Sequence, residues 1–199
     1  MSKLTATVTS ASLVLLCALA AKGASAAPVT YELDPSHTYP SFEAAHFDTS
    51  ILRGKFNTTS GKVVLDKDAK SGSVEVNVDV SSIDFGNPKL NDHVRSNDPK
   101  MFDAVKFPTA TYKGTFTQFK DGAPTKVDGT LTLHGFTKPV SLRINQFKCI
   151  MSPLMHKEVC GADAEGTLNR ADFGVSYGDN FGFSMTVKLR IEVEGVRAD

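Results

Sequence analysis

The stretch FGFSMTVKLRIEV, residues 181–193, decides the fold class. Every odd-numbered residue in it is apolar, and every even-numbered residue is Gly, Ser, Thr or charged. Because successive side chains of a strand point to opposite faces, this pattern predicts a strand with one apolar face along its whole length. At about 3.3 Å per residue the run spans roughly 40 Å, longer than most strands. An apolar face of that length fits a bent antiparallel sheet that closes into a barrel.

The same alternation recurs along most of the chain. It is interrupted over residues 87–105, where Pro88 lies near the start and the apolar residues Leu90, Val94, Met101 and Phe102 are spaced unlike those of a strand. Pro99 breaks this segment, which predicts one helix followed by one helical turn. The sequence therefore predicts an all-β domain of about eight or more antiparallel strands, with one short helical insertion that caps one end. The other predicted strands cover residues 29–33, 42–46, 51–57, 61–65, 74–80, 110–117, 127–133, 140–147 and 162–168.

The N-terminus has the layout of a secretory signal peptide. A basic start is followed by an apolar run over 11–21 and by Ala24-Ser25-Ala26, which predicts cleavage after residue 26 and export. Residues 27–199 then form a single domain. A lipoprotein anchor at Cys17 is the alternative, which the large Leu16 before it disfavours.

Charge and hydropathy exclude several partners. The chain has 22 basic and 22 acidic residues, and the loss of Lys3 and Lys22 would leave a slight negative excess. No basic run favours nucleic acid or an anionic membrane surface. No segment after the leader reaches about 18 apolar residues, so we expect no integral membrane segment.

Two cysteines remain after the leader, Cys149 and Cys160. In an exported chain this pair predicts a disulfide. A metal or redox pair is the alternative, but the spacing is not that of a Cys-x-x-Cys motif and no second ligand pair accompanies it.

The predicted inner face contains small residues where a filled barrel would have larger ones. Ala162, Ala164 and Gly166 follow one another on one face, while 13 phenylalanines are spread through the chain. This combination favours an internal cavity with an aromatic wall. Alternatively, the small residues make room for a neighbouring phenylalanine.

The candidate residues for an enzyme active site are histidines. Asp34 and His37 lie three residues apart, and folding could bring His46 and His134 to them as metal ligands, which makes a metal-dependent enzyme the rival hypothesis. Imidazoles beside turns more often bind backbone groups. Nucleophile elbows, phosphate loops and dinucleotide motifs are absent from the sequence, so we predict no enzyme activity, no catalytic residue and no cofactor.

The helical insertion combines cations with apolar residues. Lys89, His93 and Arg95 precede Met101, Phe102 and Phe107. Such a group at a cavity mouth would suit a lipid with a polar or anionic head. An ordinary surface helix whose charges face water is the alternative.

Several segments, in this order and spacing, resemble the YceI-like family of periplasmic polyisoprenoid-binding proteins. They are YELDPSH (31–37), SFEAAH (41–46), RGKF (53–56), LNDHVRS (90–96), MFD (101–103) with FP (107–108), VDGTLTLHGFTKPV (127–140) and NRADFG (169–174). The resemblance implies an extended eight-stranded antiparallel lipocalin-like β-barrel, which encloses an apolar pocket for an isoprenoid chain or a similar amphiphile. It also implies a periplasmic location, frequent homodimers and roles in isoprenoid quinone metabolism, transport or stress responses.

We therefore predict a binding protein that sequesters or carries a polyisoprenoid of the quinone or prenyl phosphate type. A stress-response interaction module is a third hypothesis. In the predicted strand 181–193, residues 181–185 would form the ligand wall and residues 187–193 ordinary packed core. Predicted head-group contacts are Arg53, Lys89, His93 or Arg95. Predicted wall residues are Phe42, Phe56, Met101, Phe102, Phe107, Phe116, Phe173, Phe181, Phe183 and Met185.

Overall fold

A computed structural model describes residues 27–199. The predicted signal peptide, residues 1–26, and the possible anchor at Cys17 lie outside the described residues. Within the described part, no helix is long and apolar enough to cross a membrane.

The described chain is an antiparallel β-barrel with one α-helix, which confirms the predicted fold class. The strands are β1 (Val29–Leu33), β2 (Tyr39–His46), β3 (Ser50–Phe56), β4 (Thr59–Asp66), β5 (Ser71–Asp79), β6 (Ile83–Asp84), β7 (Thr109–Lys120), β8 (Ala123–Leu133), β9 (Phe136–Met151), β10 (Glu158–Asn169) and β11 (Thr186–Arg197). The helix is α1 (Pro88–Arg95), and 3-10 turns occupy Val80–Ser82, Arg170–Phe173 and Asp179–Phe181.

Eight strands close the ring in the order β1, β4, β5, β7, β8, β9, β10 and β11. Pairing of β1 with β11, from Tyr31 opposite Arg197 to Leu33 opposite Gly195, seals it. Strand β2 pairs with the first half of the same β11, and β3 and β6 continue outward from β2. The strands β2, β3 and β6 therefore lengthen one end of the barrel wall beyond β1, β4 and β5.

The longest predicted strand is displaced along the chain. Strand β11 begins at Thr186 and continues to Arg197, so the assignment of residues 181–185 to a strand is wrong. Gly178 and Gly182 adopt left-handed backbone at φ 82° and 84° on either side of the 3-10 turn Asp179–Phe181. The alternation of Phe and Gly here imitates a strand, but glycines in this conformation cannot continue one.

Helix α1 begins where its sequence predicts. The Asn87 side chain accepts hydrogen bonds from the backbone N–H groups of Lys89 and Leu90, and Pro88 occupies the first helical position. Val94 is buried with Ile83 and Met101 in a cluster at one end of the barrel. The helix therefore covers this end, as the sequence predicts.

The disulfide lies at the other end. Cys149 on β9 and Cys160 on β10 are directly opposite in the ladder and joined by a disulfide, as predicted. Cys160 is buried beside Tyr31 and Leu65. The bond fixes the base of the hairpin loop between β9 and β10.

Removal of this disulfide tests its structural role. We expect the Cys149→Ser and Cys160→Ser double variant to lose about 3 kcal/mol of unfolding free energy, because a cross-link restricts the unfolded chain. Urea denaturation of the variant and the oxidised wild type would measure the difference. An unchanged denaturation midpoint would show that the strand pairing alone fixes this end.

Candidate functional site: an apolar barrel lumen

A cavity of about 550 Å³ runs inside the barrel. Its wall is the inward face of the alternating strands, so nearly every side chain that lines it is apolar. The volume lies within the range of about 300–1,000 Å³ that is usual for ligand sites in proteins. The lumen is thus large enough and dry enough to hold a hydrocarbon chain.

Strand β11 contributes wall along most of its length. Val187, Leu189, Ile191 and Val193 all line the cavity. The expectation that residues 187–193 form packed core beyond the end of the pocket is therefore wrong. On the neighbouring strand β10, the small side chains of Ala164 and Ala162 lie directly beside Ile191 and Val193 and leave space in the lumen there.

The small residues of β10 do both things that the sequence suggests: some leave space in the cavity, and one makes room for a neighbouring side chain. Ala162 and Ala164 line the cavity and leave space in it. At Gly166, a Cβ atom would lie only 2.8 Å from Leu142 Cδ2, so the missing side chain makes room for a neighbour. Gly166 thus serves packing, whereas the two alanines widen the lumen.

Buried residues close the disulfide end of the lumen. Tyr31, Leu65 and Cys160 line the cavity there and are almost completely inaccessible to solvent. The Tyr31 hydroxyl donates a hydrogen bond of 2.9 Å to Glu158, whose carboxylate also accepts one of 2.8 Å from Lys67 Nζ. An ion pair over a packed tyrosine therefore seals this end.

The Tyr31 phenol offers a pH test of that seal. Burial, followed by the hydrogen bond to Glu158, raises the pKa of Tyr31 to about 12. The folded state favours the neutral phenol, so its contribution to stability is complete below about pH 10, the ordinary pKa of tyrosine, and is lost as the pH rises through 12. Carbon-13 NMR titration of the four tyrosines, with Tyr31→Phe for assignment, would measure this. An ordinary pKa at Tyr31 would show that water reaches this end.

The helix end forms the mouth of the lumen. His93 lines the cavity and yet is exposed, which places the opening beside α1. Its ring contacts Tyr177 with 5.0 Å between ring centroids. Across the opening, Phe183 stacks on His46 of β2 at 4.8 Å. The mouth therefore lies between α1, the β2–β3 hairpin and the segment of residues 174–185, here called the mouth loop.

Arg170 fixes the mouth loop. Its guanidinium donates hydrogen bonds to the backbone carbonyls of Val175, Tyr177 and Ser184, at 2.8–3.1 Å. Burial lowers the pKa of this guanidinium from its very high ordinary value, although Asp179 nearby opposes the shift. The side chain also lines the cavity. One half-buried cation thus holds the loop that carries Phe183 and Tyr177.

Polar atoms deep in the lumen already have partners. The buried Tyr112 hydroxyl donates a hydrogen bond of 3.0 Å to the Val140 carbonyl, and burial raises the pKa of its phenol. Gly129 makes room for this ring, since a Cβ there would lie 2.7 Å from the Tyr112 hydroxyl oxygen. The deep lumen is therefore suited to an apolar chain, and groups able to contact a polar head gather at the mouth.

The structure brings most of the predicted wall residues to the cavity. Those that line it are Phe42, Phe56, Met101, Phe102, Phe116 and Phe183. Phe173 is instead packed in the core, and Phe107 packs against His134. Phe181 is exposed. Met185 does not line the cavity, although Ser184 and Val187 near it do. Contact of these residues with a ligand stays a prediction.

Of the four predicted head-group residues, His93 alone lines the cavity. Arg53 ends a ladder of charges on the outer wall, which continues through Glu43 and Arg190 to Glu165. Lys89 is exposed on the helix surface. Arg95 bonds to the Asn91 and Ser81 carbonyls and to Asp92. These two cations correspond to the surface-helix alternative.

Sequence reasoning missed Arg170, Tyr177 and, as a lumen residue, His46. Arg170 belongs to the NRADFG segment that carries the family resemblance, and it follows the inward-facing Leu168 by two residues. A cation at an inward position of an apolar strand pattern was the available signal.

The three histidines of the metal-enzyme hypothesis do not form a cluster among the described residues. His37 Nδ1 lies 2.8 Å from Asp34 Oδ2, at an exposed turn beside Glu194. His134 donates from Nδ1 to the Phe173 carbonyl, and His46 lies at the mouth. The grouping of Cys149, Glu158 and Cys160 has its sulfurs joined in the disulfide.

Fold and site together define a closed antiparallel barrel whose lumen is lined almost entirely by apolar side chains. The family model described as the YceI-like domain matches residues 31–195, so the chain belongs to the YceI-like family. A UPF0312 protein of Vibrio parahaemolyticus is 32% identical over 176 residues, which are 88% of this chain and 90% of that protein. A UPF0312 protein of Pectobacterium carotovorum is 32% identical over 188 residues, 94% and 95% of the two chains.

Solved structures share the fold. BcnA of Burkholderia cenocepacia superimposes with a TM-score of 0.63 at 24% identity, over 81% of this chain and 98% of that one. A polyisoprenoid binding domain from Saccharophagus degradans, implicated in plant cell wall breakdown, gives a TM-score of 0.60 at 15% identity, over 85% and 99%. At these identities the likeness establishes the barrel architecture.

Proposed function

We propose that this protein sequesters or carries a polyisoprenoid, or a similar long-chain amphiphile, inside its barrel lumen. The observation that carries the proposal is the elongated cavity, which is apolar from the mouth at His93 to the closed end at Tyr31. Membership of the YceI-like family supports it, as does the fold shared with a polyisoprenoid binding domain.

Burial of the isoprenoid chain of the ligand supplies the binding affinity. Each methylene moved from water into the lumen contributes about 0.8 kcal/mol, so several isoprene units outweigh the cost of ordering the ligand. Branched isoprenoid chains need a wider channel than straight acyl chains. Ala162 and Ala164 provide this width on one side of the lumen.

The charge of the mouth favours a neutral polar head, such as a quinone ring, over a prenyl phosphate. Arg170 is the one Lys or Arg among the described residues that line the cavity, and three of its donor atoms already bind loop carbonyls. His46, His93 and Tyr177 offer hydrogen bonds and ring faces to an uncharged head. A phosphate would instead require free cations in bidentate geometry.

The hydrogen bonds of the buried polar groups favour a binding role over catalysis. The Tyr112 hydroxyl is engaged with a backbone carbonyl. His134 likewise bonds to a carbonyl and belongs to no ligand cluster in the part of the chain that the structure describes. We therefore propose that the protein acts without catalysis, in the periplasm after removal of residues 1–26. Homodimer formation remains an expectation from the family resemblance.

Native mass spectrometry followed by organic extraction tests the proposal. Protein purified without detergent should carry a stoichiometric lipid that fragments as an isoprenoid, and lipid-free protein should take up a long-chain quinone more tightly than the matching prenyl phosphate. Protein that stays free of lipid after exposure to both compounds would refute lipid carriage. Elemental analysis on the same sample addresses the rival enzyme, for which one stoichiometric transition metal would be the signature.

A further inference from the structure

Large apolar side chains are exposed on the two segments that flank the mouth. Phe47 and Ile51, on the β2–β3 hairpin, are 49% and 47% exposed, and Phe181 in the mouth loop is 59% exposed. A backbone hydrogen bond from Ser184 to the Ala45 carbonyl joins these two segments. The polypeptide around the opening therefore presents apolar surface to its surroundings.

Phe47 occupies a position that folding alone does not favour. It lies at the tip of the hairpin with φ at 54°, and the next residue, Asp48, has φ at 56°. Two successive left-handed residues are typical of a tight hairpin turn, where Asn-Gly is the favoured pair and a bulky aromatic is strained. The side chain is only half buried, against the rings of His46 and Phe183. Strain of this kind concentrates at functional positions.

The exposed surface is continuous with the lumen. The Phe47 ring packs edge-on against Phe183, with 4.5 Å between ring centroids, and Phe183 lines the cavity. A hydrocarbon chain that leaves a bilayer at the hairpin tip would meet apolar side chains along the whole path inward. Transfer through water would expose each methylene at a cost of about 0.8 kcal/mol, so direct contact with the donor membrane avoids a large barrier.

The charges around the mouth are mixed in sign. Asp48 and Asp92 accompany Lys89, and Lys100 pairs with Asp179 at 3.1 Å. Such a surface provides no cationic field for anionic lipid headgroups. Apolar insertion at the headgroup boundary is the remaining mode of membrane contact, and it does not depend on headgroup charge.

We propose that the rim formed by Phe47, Ile51 and Phe181 docks the open end of the barrel on a lipid bilayer, where the ligand enters or leaves the lumen. The inference rests on the proposed function, since docking serves to load the cavity. It commits to a neutral bilayer surface as the occupant. A protein partner or a second copy of this chain would give a different result in the experiment below.

Vesicle co-flotation tests the rim. The processed chain beginning at Ala27, with its N-terminus verified by intact mass, is mixed with phosphatidylcholine vesicles at low and high salt. We expect binding at both salt concentrations. A variant with Phe47→Asn, Ile51→Thr and Phe181→Ser should partition roughly a hundredfold more weakly, because three half-exposed apolar groups no longer insert. Asn suits the left-handed position, so this variant should remain folded.

The loop between β9 and β10 supplies the control, since it too exposes large apolar side chains, with Met151 70% and Met155 47% exposed. Leu154 is 89% exposed beyond the disulfide, on the order of 30 Å along β10 from the mouth. The Leu154→Ser variant should bind vesicles like the wild type. Docking by the rim would be overturned by a wild type that fails to float, by binding restricted to vesicles containing phosphatidylglycerol, or by a loss in Leu154→Ser instead of the rim variant.

Lipid extraction from the same samples separates this inference from the proposed function. The rim variant should still retain lipid when loaded from detergent solution, because its lumen is unchanged. A wild type that binds vesicles but never retains lipid would refute lipid carriage and leave membrane docking standing. A rim variant that keeps full vesicle binding would refute the docking surface and leave lipid carriage standing.

Discussion

Filling the lumen should abolish lipid retention while the barrel still folds. The test variant combines Ala44→Phe near the mouth with Ala162→Phe toward the closed end, both of which line the cavity. Two additional rings in a space of about 550 Å³ exclude a large part of any chain. Since each excluded methylene forfeits about 0.8 kcal/mol, we expect retained lipid to fall by at least about a hundredfold.

Stability must be measured alongside retention in this variant. Added volume in a packed barrel costs typically about 1–3 kcal/mol, but here the rings enter open space, so the thermal midpoint should change little. The control is Thr167→Phe, which places the same ring on the exposed outer face of β10. Lipid content equal to that of wild type in a folded Ala44→Phe, Ala162→Phe variant would place the lipid outside the lumen.

Loss of Arg170 should open the mouth. In Arg170→Ala, the carbonyls of Val175, Tyr177 and Ser184 lose their donor, and hydrogen bonds to a charged group contribute about 1.5–3 kcal/mol each before non-additivity. We expect the free energy of unfolding to fall by about 3 kcal/mol and bound lipid to dissociate faster, because the loop that carries Phe183 is no longer fixed. Urea denaturation and the rate of lipid transfer to acceptor vesicles would measure both effects.

Two other arginine variants make that result specific. Arg170→Lys keeps the charge but cannot direct donors at three carbonyls, so it should resemble Arg170→Ala. Arg53→Ala removes an exposed arginine whose Nε lies 3.5 Å from Glu43, and it should change little. If Arg170→Ala behaved like Arg53→Ala, the loop would be held by its other contacts.

Alternation of polar and apolar residues predicted the barrel well, because it reports which face of a strand is buried. It failed at residues 181–185, where Phe and Gly alternate within a loop. The periodicity of apolar residues gives no information on backbone conformation. The left-handed backbone of Gly178 and Gly182 excludes a strand there. Between the predicted strands 127–133 and 140–147, His134 and Gly135 adopt left-handed backbone, at φ values of 51° and 81°, in the turn between β8 and β9.

Prediction of the site was more complete for its apolar than for its polar part. An inward position on a strand almost determines that a side chain faces the lumen, as Phe116 illustrates. It does not show how far the cavity extends, since Leu189, predicted to belong to packed core, lines the cavity. Charge type carries no such information. Arg53, a predicted head-group contact, joins the outer ladder through Glu43. Arg170 instead lines the cavity and binds three loop carbonyls. The inward position of Arg170, two residues after Leu168, sets it apart in the sequence, but its three carbonyl partners depend on the path of the mouth loop, which non-local contacts set.

The lumen, closed at the disulfide end, should hold the lipid with its head group at the mouth. A crystal structure of the protein with the lipid extracted from its own producing cells tests it most directly. We predict continuous density for an isoprenoid chain along Leu189, Ile191 and Val193, with the head group between His93 and Phe183. Density confined to the outer wall, or a head group beside Tyr31 at the disulfide end, would contradict this account.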